Sequence, residues 1–271
     1  MSRYGIIAGS GRFPILALEQ ARLMGLDVAA VGIQGEASQE IESLASSTHW
    51  VGISELGKLI DILKKESVTQ VMLAGQVKHA SIFSSALPDW KLVKLLASVK
   101  EKNTDSLIGA IVGVLEQEGI RVIDSTVLLK PLLAGEGTMS RRKPTKEEEA
   151  DIAYGRRIAA ALSGFDIGQS VVICERACVA VEAMEGTDEM LRRAAGLVNG
   201  RRLTLVKGSR RRRHMLFDVP VAGPGTIQTM QETGATMLAV DAGRTLLLDR
   251  EAMLTAADEA AISVAGYTPD E

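Results

Sequence analysis

The chain of 271 residues is 46% hydrophobic and carries 31 Lys plus Arg against 34 Asp plus Glu, a net charge of −3. This supports a large core, more comfortably in two domains than in one, and excludes a bulk nucleic-acid binder, so any basic site is local. Cys174 and Cys178 stand in an apolar run that suits neither a disulfide framework nor a zinc ribbon. No apolar stretch approaches the roughly 20 residues of a membrane span, and the start lacks a signal-peptide pattern, which points to the cytoplasm.

Tyr4–Ala8 is a continuous apolar run that ends in Gly9-Ser10-Gly11, with Pro14 and an apolar-periodic segment to Gly25 behind it: strand, tight turn, helix. Val28–Ile33 reads as a second buried strand, Leu56–Lys65 as a helix, Gln70–Leu73 as a strand ending at Ala74-Gly75-Gln76, and Asp105–Glu118 as a helix stopped by Gly119. Such alternation argues for a parallel α/β sheet in the first half.

Between residues 134 and 146, Gly135, Gly137, Arg141-Arg142-Lys143 and Pro144 break the periodicity. This stretch is expected to be the linker between domains 1–133 and 147–271. Lys146–Leu162 then reads as a helix with an acidic first turn, as the helix dipole favours. Apolar runs at Ser170–Cys174, Cys178–Val181, Leu203–Val206 and Met237–Val240 are expected strands, with helices at Asp188–Val198 and near Ala252–Ala261. The second half is a further α/β domain.

Four segments carry candidate chemistry. The Gly9-Ser10-Gly11 turn lets backbone N–H groups approach phosphate at a helix N-terminus, but Pro14 stands where a dinucleotide fingerprint has its third glycine, so a plain tight turn is the alternative. Gly75, Gln76 and Lys78 close a second strand where α/β sheets bind ligands, with Lys78 either facing phosphate or simply exposed. Glu182, Glu185, Thr187, Asp188, Arg192 and Arg193 gather carboxylates for a divalent cation and guanidiniums for phosphate; Thr187 and Asp188 equally suit an N-cap and first helical turn. Lys207, Arg210–Arg213, His214 and Asp218 precede a Pro- and Gly-rich turn, where Asp218 is a metal ligand, a base, or an acid tied to backbone amides.

In chain order, Gly5-Ile6-Ile7-Ala8-Gly9-Ser10-Gly11-Arg12-Phe13-Pro14, Leu73-Ala74-Gly75-Gln76-Val77, Phe165-Asp166-Ile167-Gly168-Gln169, Ala180-Val181-Glu182-Ala183-Met184-Glu185-Gly186-Thr187-Asp188 and Phe217-Asp218-Val219-Pro220 resemble the LpxI family of UDP-2,3-diacylglucosamine pyrophosphatases. The resemblance runs nearly end to end. It implies a Rossmann-like N-terminal sheet, a C-terminal α/β catalytic domain, and hydrolysis of UDP-2,3-diacylglucosamine to UMP and 2,3-diacylglucosamine 1-phosphate in the lipid A pathway, with Mg²⁺ or Mn²⁺. The family's key aspartate falls on Asp218. Here Leu216 replaces the family's arginine two residues earlier, and an Arg-rich run ending in His214 replaces its Lys-Pro-x-Gln element.

These readings give a catalytic set of Asp218, Asp188, Glu182, Glu185, Arg192 and Lys207, and a metal set of Asp218, Asp188 and Glu182. The substrate-binding set is Gly9, Ser10, Gly11, Gly75, Gln76, Lys78, Gln169 and Thr187, with the pyrophosphate expected between the domains. Ile82, Phe83, Leu87, Met139 and Met215 are candidates for an acyl groove. The expected partners are a lipid-linked UDP-sugar and, peripherally, the inner membrane surface; a homodimer is compatible and nucleic acid is not expected. A catalytically weakened nucleotide-sugar-lipid binding module is the competing function.

Overall fold

The computed structural model describes residues 3–77, 88–99, 104–163, 165, 167–209 and 219–269. It divides into two compact units, Met1–Leu129 and Lys130–Glu271.

The first unit is built on a parallel sheet of β1 (Arg3–Ala8), β2 (Val28–Ile33), β3 (Ser47–Val51), β4 (Val68–Ala74) and β5 (Arg121–Val122), in the order β3-β2-β1-β4-β5. Its helices are α1 (Phe13–Leu23), α2 (Ile41–Leu44), α3 (Leu56–Lys65), α4 (Trp90–Ser98) and α5 (Thr104–Gln117). β2 is buried along its whole length, as a parallel strand between neighbours must be. α3 buries Leu56, Leu59, Ile60 and Leu63 at helical spacing and leaves Lys58, Lys64 and Lys65 exposed. α4 is held at its start by Asp89, whose carboxylate accepts the Leu92 amide at 2.9 Å and the Gly57 amide at 2.5 Å, a capping arrangement that satisfies N–H groups a helix cannot pair internally.

The second unit has a mixed sheet in the order β6-β13-β11-β9-β7-β8. Its strands are β6 (Gly137–Thr138), β7 (Ser170–Cys174), β8 (Ala177–Val181), β9 (Leu203–Lys207), β11 (Ala235–Asp241) and β13 (Ser263–Tyr267). β7 runs antiparallel to β8 and β9, which puts the start of β7 beside the ends of β8 and β9. Successive strand side chains separate onto two faces. Val171, Ile173, Val206, Met237, Ala239 and Ala265 pack with Ile152 and Ala159 of α6 (Lys146–Ser163). Val172, Leu205, Leu238, Val240 and Val264 join the buried residues of α7 (Thr187–Leu197), α8 (Pro224–Thr233) and α9 (Arg250–Glu259). Gly155 lets α6 sit close to the sheet, since a Cβ there would lie 2.7 Å from Val206. β10 (Val221–Ala222) and β12 (Leu246–Leu247) form a separate parallel pair.

The expected linker is instead structure. The units meet at Leu129 and Lys130, and residues 134–146 belong wholly to the second. Ala134 is in its core, Gly137 and Thr138 pair with β13, and the Ser140 hydroxyl accepts the Val264 amide at 2.8 Å. Arg142 holds Glu148 with two N–H bonds of 2.9 and 2.8 Å. Met139 packs against that core, so it is not free to line an acyl groove. The Pro- and Gly-rich stretch after Asp218 likewise forms no simple turn: Pro224 stands at the start of α8, and Gly234, at φ 71°, ends it.

Candidate functional site

The strand order of the first sheet reverses between the parallel neighbours β1 and β4, the position at which an open α/β sheet leaves a ligand crevice. Gly9-Ser10-Gly11 and Gly75-Gln76 meet there. The Gly9 amide donates to the Ala74 carbonyl at 2.8 Å, the Ser10 amide to Gln76 O at 2.7 Å, and the Gln76 amide to Ser10 O at 3.1 Å. A Cβ at Gly9 would lie 2.4 Å from Gln76 O, and one at Gly75, at φ +87°, would lie 2.5 Å from Ser10 O. Close backbone approach therefore explains these two glycines, and it commits the Gly9 amide to the end of β4 and the Ser10 amide to Gln76 beyond it, rather than to phosphate. Gly11 is exposed, at φ +92°, with open space around it. Because the contact at Gly9 is with backbone, Gly9→Ala should cost about 1–3 kcal/mol, the usual scale of overpacking. A urea midpoint equal to that of the parent protein would show that the turns can separate freely.

In the second unit, the carboxyl ends of β8, β9, β11 and β13 share one sheet edge with the start of β7. Lys207, the last residue of β9, is only 7% exposed. Its ammonium donates to Thr187 Oγ1 at 2.8 Å and Ser170 Oγ at 3.2 Å. Thr187 in turn donates to Glu182 Oε1 at 2.7 Å, and the Gln169 amide reaches Glu182 Oε2 at 3.3 Å. Burial alone pushes the Glu182 carboxyl up, but the Lys207 charge and the hydrogen bonds from Ser170, Thr187 and the Gln169 amide outweigh it and hold the group below the ordinary carboxylate range. The result is a fixed cation whose third N–H has no hydrogen-bond partner among the described residues, suited to an anionic phosphate oxygen.

The structure thus brings Gln169, Glu182, Thr187 and Lys207 together. Thr187 is not the N-cap of α7; Gly186 holds that position, which frees the Thr187 hydroxyl to bridge Glu182 and Lys207. The remaining candidates on this element lie apart from that bond network. Glu185 pairs with Arg193, while Arg192 pairs with Glu189 at 2.6 Å and Glu232 at 3.5 Å, all at exposed or half-exposed positions. Asp188 is exposed in the first turn of α7. Lys78 and Asp218 lie outside the described residues, as do Ile82, Phe83, Leu87, Met215 and Arg210–Arg213.

Among the described residues no three acids, histidines or cysteines converge as a metal cage. Glu182 has both carboxylate oxygens engaged by hydrogen bonds and a buried ammonium nearby, which suits charge balance better than metal ligation.

Two residues at this edge lacked a sequence signal. Ser170, which opens β7 among apolar neighbours, is buried and accepts from Lys207. Asp241, the last residue of β11, accepts both the amide and the hydroxyl of Ser209 at 2.6 Å, and so fixes the point where the chain leaves β9 toward residues 210–218. Only strand pairing shows that these side chains end on one line.

The LpxI N-terminal domain family matches residues 3–132 and the LpxI C-terminal domain family matches residues 135–265. The chain is 32% identical over 281 residues to the UDP-2,3-diacylglucosamine pyrophosphatase LpxI of Caulobacter vibrioides, covering 100% of this chain and 99% of that one. Solved structures similar to it include a UDP-glucose 4-epimerase, 15% identical with TM-score 0.28 over 44% of this chain and 33% of that one. Another is an ADP complex of N5-carboxyaminoimidazole ribonucleotide synthetase, 14% identical with TM-score 0.29 over 73% of this chain and 35% of that one. The chain spans about a third of the length of these structures. Among the described residues no helix is long and apolar enough to cross a membrane.

Proposed function

Because the chain belongs to the LpxI family through both of its domains, we propose that it hydrolyses the pyrophosphate of UDP-2,3-diacylglucosamine, releasing UMP and 2,3-diacylglucosamine 1-phosphate for lipid A synthesis. The observation that supports this reading best is full-length similarity to a pyrophosphatase of that name. The buried Lys207, held by Ser170 and Thr187 at a sheet edge, adds to it. In this reading Lys207 balances charge on the phosphoryl oxygens as the anhydride opens, and Thr187, itself bonded to Glu182, holds Lys207 in place. Asp218 supplies a base or a metal-holding carboxylate. A divalent cation, Mg²⁺ or Mn²⁺, would lower the cost of charge developing on phosphate, and Asp188 and Asp218 would be the carboxylates to hold it. The proposed setting is the cytoplasm, at the inner face of the membrane that carries the lipid.

The test is release of UMP from UDP-2,3-diacylglucosamine by the purified chain with Mg²⁺, stopped by EDTA. Asp218→Asn keeps an acceptor oxygen but loses the charge, and is expected to lower kcat by at least about two orders of magnitude while binding survives. Undiminished turnover in excess chelator would remove the metal from the proposal. A folded, fully active Asp218→Asn protein would remove Asp218, and substrate binding without any UMP release would favour the binding-module alternative.

A further inference from the structure

The chain that leaves β9 is held residue by residue. Lys207 ends the strand with its ammonium on Thr187 and Ser170. The Gly208 amide donates to Gln169 O at 2.8 Å, and a Cβ on Gly208 would lie 3.1 Å from that of Ala159. Ser209 then gives both its amide and its hydroxyl to one oxygen, Asp241 Oδ2, at 2.6 Å each. Such charge-assisted bonds are short and strong. Asp241 comes within reach because β11 lies beside β9, with Val240 opposite Lys207.

Asp241 also opens a turn that is itself fastened. Its carbonyl accepts the Arg244 and Thr245 amides at 3.3 and 3.1 Å, and the Ala242 amide donates to Tyr267 O at 2.9 Å. The Gly243 amide donates to Ala134 O and the Ala134 amide to Thr245 O, both at 2.8 Å. The turn ends at Leu246, whose amide donates to Pro220 O at 2.9 Å. One turn, residues 241–246, therefore holds the chain on both sides of residues 210–218, at Ser209 before them and at Pro220 after them.

We infer that Asp241 is a positioning residue for the pyrophosphate site: its carboxylate sets the exit of the chain from β9, directly after Lys207, and with it the point from which residues 210–218 start. The reaction it serves rests on the proposed function; its place rests on the bonds to Ser209. A carboxylate that ties down a loop can serve stability alone, but the residue that Asp241 holds lies two positions from the buried ammonium. Both bonds use the carboxylate oxygen as an acceptor, so the role needs an acceptor and not a charge.

The experiment measures kcat and KM for UMP release in the parent protein, Asp241→Ala, Asp241→Asn and Ser209→Ala. Because small misplacements from outside the chemistry are costly, Asp241→Ala should lower kcat by about 10- to 100-fold, with KM close to that of the parent. Asparagine keeps an acceptor oxygen without the charge, and should restore most of the rate. Ser209→Ala loses the hydroxyl bond and keeps the amide bond, so it should fall between. Added to Asp241→Ala it should cost nothing further, since the two changes remove one contact. Hydrogen exchange of the Ser209 amide, read by mass spectrometry, should be faster in Asp241→Ala than in Asp241→Asn, and it requires no turnover. An Asp241→Asn protein as slow as Asp241→Ala would overturn the inference, because the charge itself would then act on metal or phosphate. So would additive losses from Ser209→Ala and Asp241→Ala, or a lowered melting temperature with parent kcat in the folded fraction, the mark of a tie that serves stability alone. A parent protein that releases no UMP, yet shows the exchange difference, would refute the pyrophosphatase reading and leave the Ser209 anchor standing. Equal exchange in the two variants would refute the inference whatever the turnover.

Discussion

Lys207→Met should lower kcat/KM for UMP release by about three orders of magnitude, at the upper end of what loss of one fixed charge-stabilising donor costs. Methionine preserves the length and apolar stem of lysine in a buried slot, so the change is chiefly removal of the ammonium. Two contributions then act together. The phosphoryl oxygens lose their cation, and Glu182, whose low proton affinity depends partly on Lys207, is left as a largely buried charge without its counter-ion. The second contribution is structural, and it can be separated. In Lys207→Met/Glu182→Gln both charges are gone, which relieves the unpaired group. The double variant should recover the melting temperature of the parent protein but not its turnover. If it recovers both, Lys207 serves only to neutralise Glu182, and the phosphate contact must be sought elsewhere.

Glu148→Ala should destabilise the second unit by about 3–5 kcal/mol, the scale for breaking a buried ion pair by removing one partner. The Glu148 side chain is 1% exposed and receives Arg142 through two N–H bonds. It also accepts the Thr236 hydroxyl at 2.6 Å and the Thr145 amide at 2.8 Å. Its own amide returns to Thr145 Oγ1 at 3.3 Å, which completes a capping box at the start of α6. Arg142 in turn donates to Ala261 O at 2.7 Å and to Thr236 O. One carboxylate thus caps a helix and fastens residues 134–146 to the sheet. Burial pushes its carboxyl up, but Arg142, Thr236 and the Thr145 amide prevail and leave it below the ordinary range. A depressed folded value means that this stabilisation is present above the ordinary carboxylate range and is lost as pH falls through the lower, folded value. In acid, parent and variant should therefore converge in stability, while at neutral pH they differ. A variant as stable as the parent at pH 7 would show that the clamp contributes nothing beyond what water supplies.

The sequence determined the elements that repeat with a strong period or carry a plain stop. β2 and α3 end at the residues read for them, Val28–Ile33 and Leu56–Lys65, because a fully buried parallel strand and an amphipathic helix each impose one pattern over several residues. The motifs running from Gly5 to Pro220 likewise carried the family, confirmed over both domains. Short or weakly patterned elements were lost. β3, β13 and α4 lack a clean period. α8 has low amphipathic contrast, although Pro224 at its start and Gly234 past its end are the asymmetric signals of helix entry and exit. Residues 134–146 read as a linker because Gly, Pro and charge break periodicity, and nothing local reveals that Arg142 has a buried partner. The same holds at the candidate site. Glu182, Thr187 and Lys207 were visible as residue types able to bind phosphate or metal, but their connection was not, and Ser170 and Asp241 carried no signal. Hydrogen bonds between residues 20 to 37 positions apart depend on which strands pair and in which direction. Only the antiparallel entry of β7 against β8 and β9 brings Ser170, Glu182 and Lys207 to one edge.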